Sequence, residues 1–384
     1  MSAYTACTVK SKKEWSDFYA LPFEVYQDDP THNIELRLQI QEELDPKKNP
    51  IAKDCDFQAF TVYKNDQISA RAVAIVNPAL NQKMGKSIGQ IGYLEFFEDT
   101  ISLKLLLDSC RQWFIEQECD DIWTDVRFSL NYQVGIQHMG FEQNHTFLMP
   151  RQPKYYNQML ESLGFNPIKH LNAYRVELDI NYHIPDSIKE QAQHLLDAGF
   201  GIRNMTKKDV WVCLEHYNSH WKNNFAHTAF TDAELTHLNQ SMGLFLDTRF
   251  CFVVEKNNNL VGYLFTFPDY NQELTSWRGK PSLLKLIKFL WNFKIKKKVV
   301  GLKTAIIGVD QDYAGKKVSS LLNNELLRIA QKNDCRYIER SWILEDNIAS
   351  IKQAERLGGQ LYKQFAIYEA PLEVLSKLDF RRAS

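Results

Sequence analysis

Three groups of residues have types and spacing suited to chemistry. In "VDQDYAGKKVSSLL" (Val309 to Leu322) an apolar run gives way to a helical pattern, with Gly315, Lys316 and Lys317 at the junction. The first turn of a helix carries free N–H groups that bind anions, so the junction is a candidate phosphate cradle. Glycine admits an anion to the backbone without a Cβ in the way, and here Gly315 is the sole glycine. Two carboxylates, Asp269 after one strand and Glu345 at the end of another, could hold an ammonium group or accept its proton. Asp269 reads equally well as a turn residue. Finally, "CLEHYNSHW" sets Cys213, His216 and His220 at helical spacing, a partial zinc set. No cluster supplying a fourth ligand accompanies it, and the sequence predicts no metal.

The elements around these residues are legible. "LKTAIIGV" is a near-continuous apolar strand, as expected when both faces are covered. "VSSLLNNELLRIAQKN" repeats Val318, Leu321, Leu322, Leu326 and Ile329 at helical spacing. "CRYIERSWIL" reads as the next strand, and "DNIASIKQAERLGG" as a helix closed by glycine. The pattern is mixed α/β, with helices on the faces of a sheet.

The chain also repeats itself. Lys64-Asn65 and Ile68 answer Lys256-Asn257 and Leu260, each in a predicted hairpin with an Asn-rich turn. Ile91-Gly92, Cys119 and Asn131 answer Ile307-Gly308, Cys335 and Asn347, and "ESLGF" answers "ERLGG". The matches keep their order at offsets of about 190 to 220 residues. They predict two domains, 1–182 and 183–384. The changes in offset place an insertion of about 24 residues between Asp269 and Gly308, and one of about 22 between Asn131 and Glu161. The former, "SLLKLIKFLWNFKIKKKVV", mixes an apolar helical face with lysines. Such a segment either packs its apolar side chains on the domain, the favoured expectation, or rests on an anionic surface.

The order strand, turn, helix start, strand, Asn-started helix and final hairpin resembles the GNAT-like acyl-CoA N-acyltransferases. "PDYNQ", "SWILEDN" and "YKQFAIYE" resemble a bacterial tandem group of that superfamily, as do "FSLNYQVGIQHMGF" and "PKYYNQMLESLGF" in the first half. The resemblance spans about Phe18 to Glu369 and implies two tandem GNAT-like domains using acetyl-CoA or another acyl-CoA as co-substrate. It assigns the thioester carbonyl to the backbone at Gly308 and Val309, and the pyrophosphate to Gly315, Lys316, Lys317, Val318 and Ser319. Asn347, opening the next helix, would cap it or touch the cofactor. The resemblance is imperfect: Ala314 and Lys317 stand where the family has Arg or Gln and glycine, and Ala354 stands where many members carry an acidic tyrosine. Tyr362 and Tyr368 are candidate substitutes. The first half has no basic or glycine loop, and its Glu95, Glu98 and Asp99 would repel a pyrophosphate. Its Arg127, Ser129 and Asn131 could face the cleft, with a buried ion pair or helix cap the plainer expectation.

The resulting expectation is direct acyl transfer to a small amine or amino-acid-like acceptor. Glu345 and Asp269 are the candidate bases, and Asn218, Trp221, Tyr270 and Asn271 the candidate acceptor contacts. The competing reading is a catalytically silent ligand-binding or interaction protein that kept the fold. Composition narrows the field further. A net charge of −1 offers no field for nucleic acid, and seven cysteines without a CxxC pair suit a reducing compartment. The N-terminal stretch lacks the apolar core of a signal peptide, so a cytoplasmic location is expected, without a transmembrane span and with peripheral membrane contact disfavoured. Oligomeric state and acceptor identity are not encoded in any of these patterns.

Overall fold

The computed structural model describes residues 3–376. Thirteen strands form one sheet: β1 (Tyr4–Thr8), β2 (Asp56–Lys64), β3 (Gln67–Val76), β4 (Ile88–Phe96), β5 (Asp121–Thr124), β6 (Ile136–Met139), β7 (Asn166–Glu177), β8 (Phe200–Asn204), β9 (Phe252–Lys256), β10 (Asn259–Pro268), β11 (Gly301–Val309), β12 (Tyr337–Leu344) and β13 (Gln360–Pro371). The hairpins β2–β3 and β9–β10 turn on Asn65-Asp66 and Asn257-Asn258, all four with positive φ. Such two-residue turns match the strand twist, and Asn and Asp tolerate the left-handed region better than other non-glycine residues.

Strand order is β1-β2-β3-β4-β5-β13-β7-β12-β11-β10-β9-β8, with β6 also on β13. Read from either edge, five strands of one half are followed by the last strand of the other. β13 lies between β5 and β7, antiparallel to both, and β7 lies between β13 and β12. The two halves have exchanged their final strands. Phe365, Ala366, Ile367 and Tyr368 of β13 are fully buried there. Each large apolar side chain so buried contributes about 1.5–3 kcal/mol.

Helices cover both faces. The helix Thr100–Glu116 buries Leu103, Leu106, Leu107, Cys110 and Phe114 at helical spacing against β2 and β3. Val318–Lys332 buries Val318, Leu321, Leu322, Leu326 and Ala330 on β9, β10 and β11, with Asp186–Asp197 beside it. Lys207–His220 and Asp232–Phe245 pack on each other, and the former also meets β11. The cysteines among the described residues are free thiols, six of the seven buried. No helix among the described residues is long and apolar enough to cross a membrane.

The insertion after β10 departs from the favoured expectation. It forms a helix, Leu283–Leu290, continued by a wider turn, Trp291–Ile295. No residue of Leu283–Leu290 is buried, and the packing expected of its apolar side chains is confined to Phe289 and Phe293. The leucines stand in solvent.

Candidate active site

The site begins where two parallel strands part. β11 and β12 pair from Gly301↔Tyr337 to Thr304↔Arg340 and no further. Beyond that point β11 continues along β10 as far as Val309, so the β12-facing edge of Ala305–Val309 has no strand partner. Unpaired backbone N–H groups on such an edge are suited to polarising a carbonyl. Ala305, Ile306, Ile307 and Val309 on one wall, and Trp342 and Leu344 on the other, are partly exposed and mostly apolar. Apolar side chains therefore flank the unpaired backbone edge.

The loop leading out of β11 completes one end. Val318 opens the helix Val318–Lys332, and the N-cap, Lys317, sits in the left-handed region at φ 62°. Gly315 is also left-handed, and a Cβ added to it would meet nothing within 4 Å. Two left-handed residues, one of them a lysine, thus precede the helix. Ala314, Gly315, Lys316 and Lys317 are exposed, so the helix start opens to solvent. The Lys316 ammonium lies 4.5 Å from the Tyr313 ring centre. A left-handed non-glycine residue costs about 1–2 kcal/mol. Lys317→Gly is accordingly expected to raise stability by about 0.5–1 kcal/mol, after the added freedom of the unfolded chain, and to tighten acyl-CoA binding. Thermal melts and calorimetric titration check the two effects. A stability gain with no change in affinity would mean that the lysine side chain does not obstruct the cradle.

The helix Lys207–His220 packs against β11. Its His216 and His220 converge with Asp310, the residue after β11, and one ligand-type atom from each lies within 4.8 Å of the others. Below them Tyr263 lies flat against Gly308, where a Cβ would be only 2.3 Å from the ring, so residue 308 must be glycine. The rings of His216 and Tyr263 are 6.5 Å apart, and the Tyr263 hydroxyl has no hydrogen-bond partner among the described residues. Burial draws His220 below the usual imidazole range, helped by His216 and opposed by Asp310. Its Nδ1 is buried and unpartnered. A neutral imidazole with a free ring nitrogen at the end of β11 is suited to accepting a proton. Sequence reading placed the histidines on one helix face but missed Asp310, which as a lone acid after a strand looks like any turn residue. Cys213, the third member of the expected set, is fully buried in the core and stands outside the trio.

Residues 212–359, from the helix Lys207–His220 through the cradle to the glycines before β13, match the acetyltransferase (GNAT) family profile. The second half thus carries a stretch similar to the GNAT acetyltransferases. The chain is 25% identical over 376 residues to a bacterial ceramide synthase of Caulobacter vibrioides, covering 95% of this chain and 96% of that one. It is 24% identical over 374 residues to protein YghO of Escherichia coli, at 94% coverage of each. Among solved structures, a tandem GNAT protein from the clavulanic acid biosynthesis pathway aligns with TM-score 0.56 at 10% identity, over 96% of this chain and 99% of that one. A GCN5-related N-acetyltransferase from Sphaerobacter thermophilus aligns with TM-score 0.52 at 11% identity, over 96% of each. At such low identity the two structures speak to fold alone.

The other expected residues of this GNAT-like chain take varied places. Asp269 is 4% exposed, and its carboxylate accepts from Phe147 N (2.8 Å), Asn271 N (3.1 Å) and the Tyr337 hydroxyl. It lies at the start of β11, the end away from Val309, where it ties the first-half insertion to the second half. Tyr270 is buried and donates to Phe245 O, while Asn271 bridges Asn33 and His145 O. None of the three stands with the histidine trio. Glu345 is exposed and binds both the backbone N–H and Nδ1 of His170, at 3.0 and 2.9 Å. Asn347 caps its helix through Ser350 N. Asn218 closes the loop that follows the helix Lys207–His220 by pairing twice with Phe230, and Trp221 packs 4.6 Å from Tyr217. Tyr362 donates to buried Glu339, and Tyr368 reaches Glu161 and His138.

The equivalent places in the first half are filled. Asp99 caps the helix Thr100–Glu116 by accepting from Ile101 and Ser102 N–H, and is itself paired with Lys64 at 2.8 Å. A carboxylate thus occupies the spot where that helix would meet a phosphate. Glu95 is held by the hydroxyls of Tyr26 and Tyr156. Between β4 and β5, Val126 N–H donates to Ile91 O, and Arg127 makes a bidentate pair with Glu35 at 2.6 and 2.8 Å over the Tyr93 ring. Ser129 accepts from Asn131 N–H, and Asn131 binds Tyr217 and Thr228 O across the junction between the halves.

Proposed function

We propose that the second half binds an acyl-CoA and transfers its acyl group to the amine of an acceptor held between the halves. The observation that carries this reading is the parting of β11 from β12, with an open helix start after β11 and the His216, His220 and Asp310 trio where β11 ends. On this reading the helix start takes the pyrophosphate, with Lys316 and Lys317 free to swing in. The β11 edge at Gly308 and Val309 donates to the thioester oxygen as negative charge gathers there. The neutral amine attacks, His220 takes the proton shed by nitrogen, directly or through a water, and CoA leaves as thiolate. A thiol is acidic enough to leave at neutral pH without a strong acid in place of the missing tyrosine. With its equivalent places filled, the first half is a support and acceptor wall with no cofactor of its own.

For the acceptor, the Caulobacter relative is a ceramide synthase, and a ceramide is the amide of a long-chain amino alcohol. Partly buried Phe225, Ile168, Trp342 and Leu344 line an apolar region where the halves meet. This supports an acceptor that joins an amine to an apolar tail, in place of a small polar amine.

The test is release of CoA thiol from acetyl-, octanoyl- and palmitoyl-CoA with amino-acid and long-chain amino alcohol acceptors. His220→Ala is expected to lower kcat/KM by about 10²–10⁴-fold and to leave acyl-CoA affinity unchanged. Because burial lowers the pKa of His220, the rising limb of wild-type activity with pH that this group governs should lie below that of an ordinary imidazole, and the variant should lose that limb. Acyl-CoA binding without turnover on any acceptor, with His220→Ala silent, would favour the ligand-binding reading. Lys317 and Ala354 in place of glycine and tyrosine are its support.

A further inference from the structure

The insertion Leu283–Ile295 is an apolar helix fixed to the protein by one face and bare on the other. Phe289 and Phe293 are the fixing points: Phe289 packs on Tyr270 at 5.4 Å and Trp277 at 5.7 Å, and Phe293 on Tyr270 at 4.8 Å. Opposite them Leu283, Ile287, Leu290, Trp291 and Ile295 recur at helical spacing and are 73, 53, 45, 52 and 63% exposed, with Leu284 at 79%. Scattered exposed leucines need no explanation, but a contiguous stripe on one rigid helix does. The segment is too short to span a bilayer.

Charge decides the occupant. Lys296, Lys297 and Lys298 follow the stripe at its C-terminal end and are exposed, and Lys288 is largely exposed beside it. Lys285 reaches back to the carbonyls of Ser276 and Trp277, and Lys288 pairs with Glu273 at 3.2 Å. The neighbouring acid is thus balanced, and the lysine run has no ion-pair partner among the described residues. The whole chain is near neutral, so this is a local concentration of positive charge placed beside an apolar stripe that includes a tryptophan. A helix of that make-up lies in the headgroup region with its apolar side chains in the acyl boundary and its lysines on lipid phosphates. We propose that this face docks the protein on an anionic lipid bilayer as a peripheral contact, seated by Leu283, Leu284, Ile287, Leu290, Trp291 and Ile295 and selected by the lysines.

The experiment is co-sedimentation of the full chain with vesicles of phosphatidylcholine alone, or with about one third phosphatidylglycerol, at low and high salt. Binding to the anionic vesicles only, weakened by salt, is expected. Leu284→Ser/Ile287→Ser and Lys296→Glu/Lys297→Glu/Lys298→Glu should each weaken it by about tenfold or more. Circular dichroism confirms that each variant is folded. Trp291 fluorescence should shift to the blue on binding, which a loosely associated chain would not show. Three results would overturn the proposal. One is no binding by a folded wild type. Another is equal binding to neutral vesicles that the charge variant does not alter. The third is a dimer by analytical ultracentrifugation that the leucine variant dissociates, which would make the stripe a self-association face. None of these outcomes depends on acyl transfer.

Discussion

Glu339→Ala should destabilise the protein by about 3–5 kcal/mol, a large part of a typical folding free energy. Glu339 is fully buried in β12 and takes an ion pair from Lys303 of β11 at 3.3 Å, with further bonds from the hydroxyls of Ser341, Thr146 and Tyr362. Burial pushes its carboxyl up, but the Lys303 ammonium and these hydroxyls outweigh that and hold it below the usual range. Removing the carboxylate leaves a buried ammonium without its counter-charge, held only by Ser341 and Met149, and takes from three hydroxyls the acceptor they share. The loss therefore exceeds the net worth of the pair. Because Thr146 belongs to the first-half insertion and Tyr362 to the exchanged strand, the loss should loosen the joint between the halves. Urea unfolding followed by far-UV circular dichroism measures it. The double variant Glu339→Leu/Lys303→Met should recover most of the loss, since a buried pair can be replaced by packed apolar groups at little net cost. A single-variant effect below about 1 kcal/mol would show that water reaches the cluster and satisfies Lys303.

A second large effect is expected at Lys363, which is buried in β13 with no hydrogen-bond partner for its ammonium among the described residues. Burial draws its pKa down from 10.5 to about 7, against the pull of Glu339 and Asp269 and with the push of Arg151 and Arg175. Between these values the unfolded chain holds more protons than the native one. This lysine therefore makes stability rise with pH across that window, by up to about 1.4 kcal/mol per pH unit. Below pH 7 both states are protonated and the burial penalty is full. Lys363→Met should then be more stable than wild type by an amount on the order of 3–5 kcal/mol at pH 6, and the advantage should shrink toward pH 10. Parallel stability-against-pH curves for the two proteins would refute it.

Local features of this fold were readable from residues because local chemistry decides them. Asn257-Asn258 between alternating apolar runs is a turn wherever it occurs, and "LKTAIIGV" has few ways to be other than a covered strand. The cradle was legible as a position, and its left-handed Lys317 shows that the neighbours can hold a loop shape its own residue disfavours. What escaped depends on partners far apart in the chain. Asp269 was a plausible base by type, but its carboxylate is committed to Phe147 and Tyr337, contacts that no spacing within "PDYNQ" reveals. Asp310 joined the histidines only once β11 ended beneath their helix. In the insertion the pattern of Leu, Ile and Phe at helical spacing is the same whether the helix is covered or bare. Only the two phenylalanines, one turn apart, mark the face that packs.

The placement of β13 has a consequence for synthesis. On the ribosome β5 is complete by Thr124, yet the strand that closes its open side is delivered about 240 residues later, from Gln360 to Pro371. Through most of elongation the nascent first half exposes an unpaired strand edge, the kind of template that recruits other chains. The finished molecule hides this completely, because the late strand lies at the centre of the sheet. A message broken off before that strand would yield a protein lacking its keystone, with two open edges where the sheet should be continuous. Its cellular abundance should then depend on holdase chaperones far more than its final stability suggests.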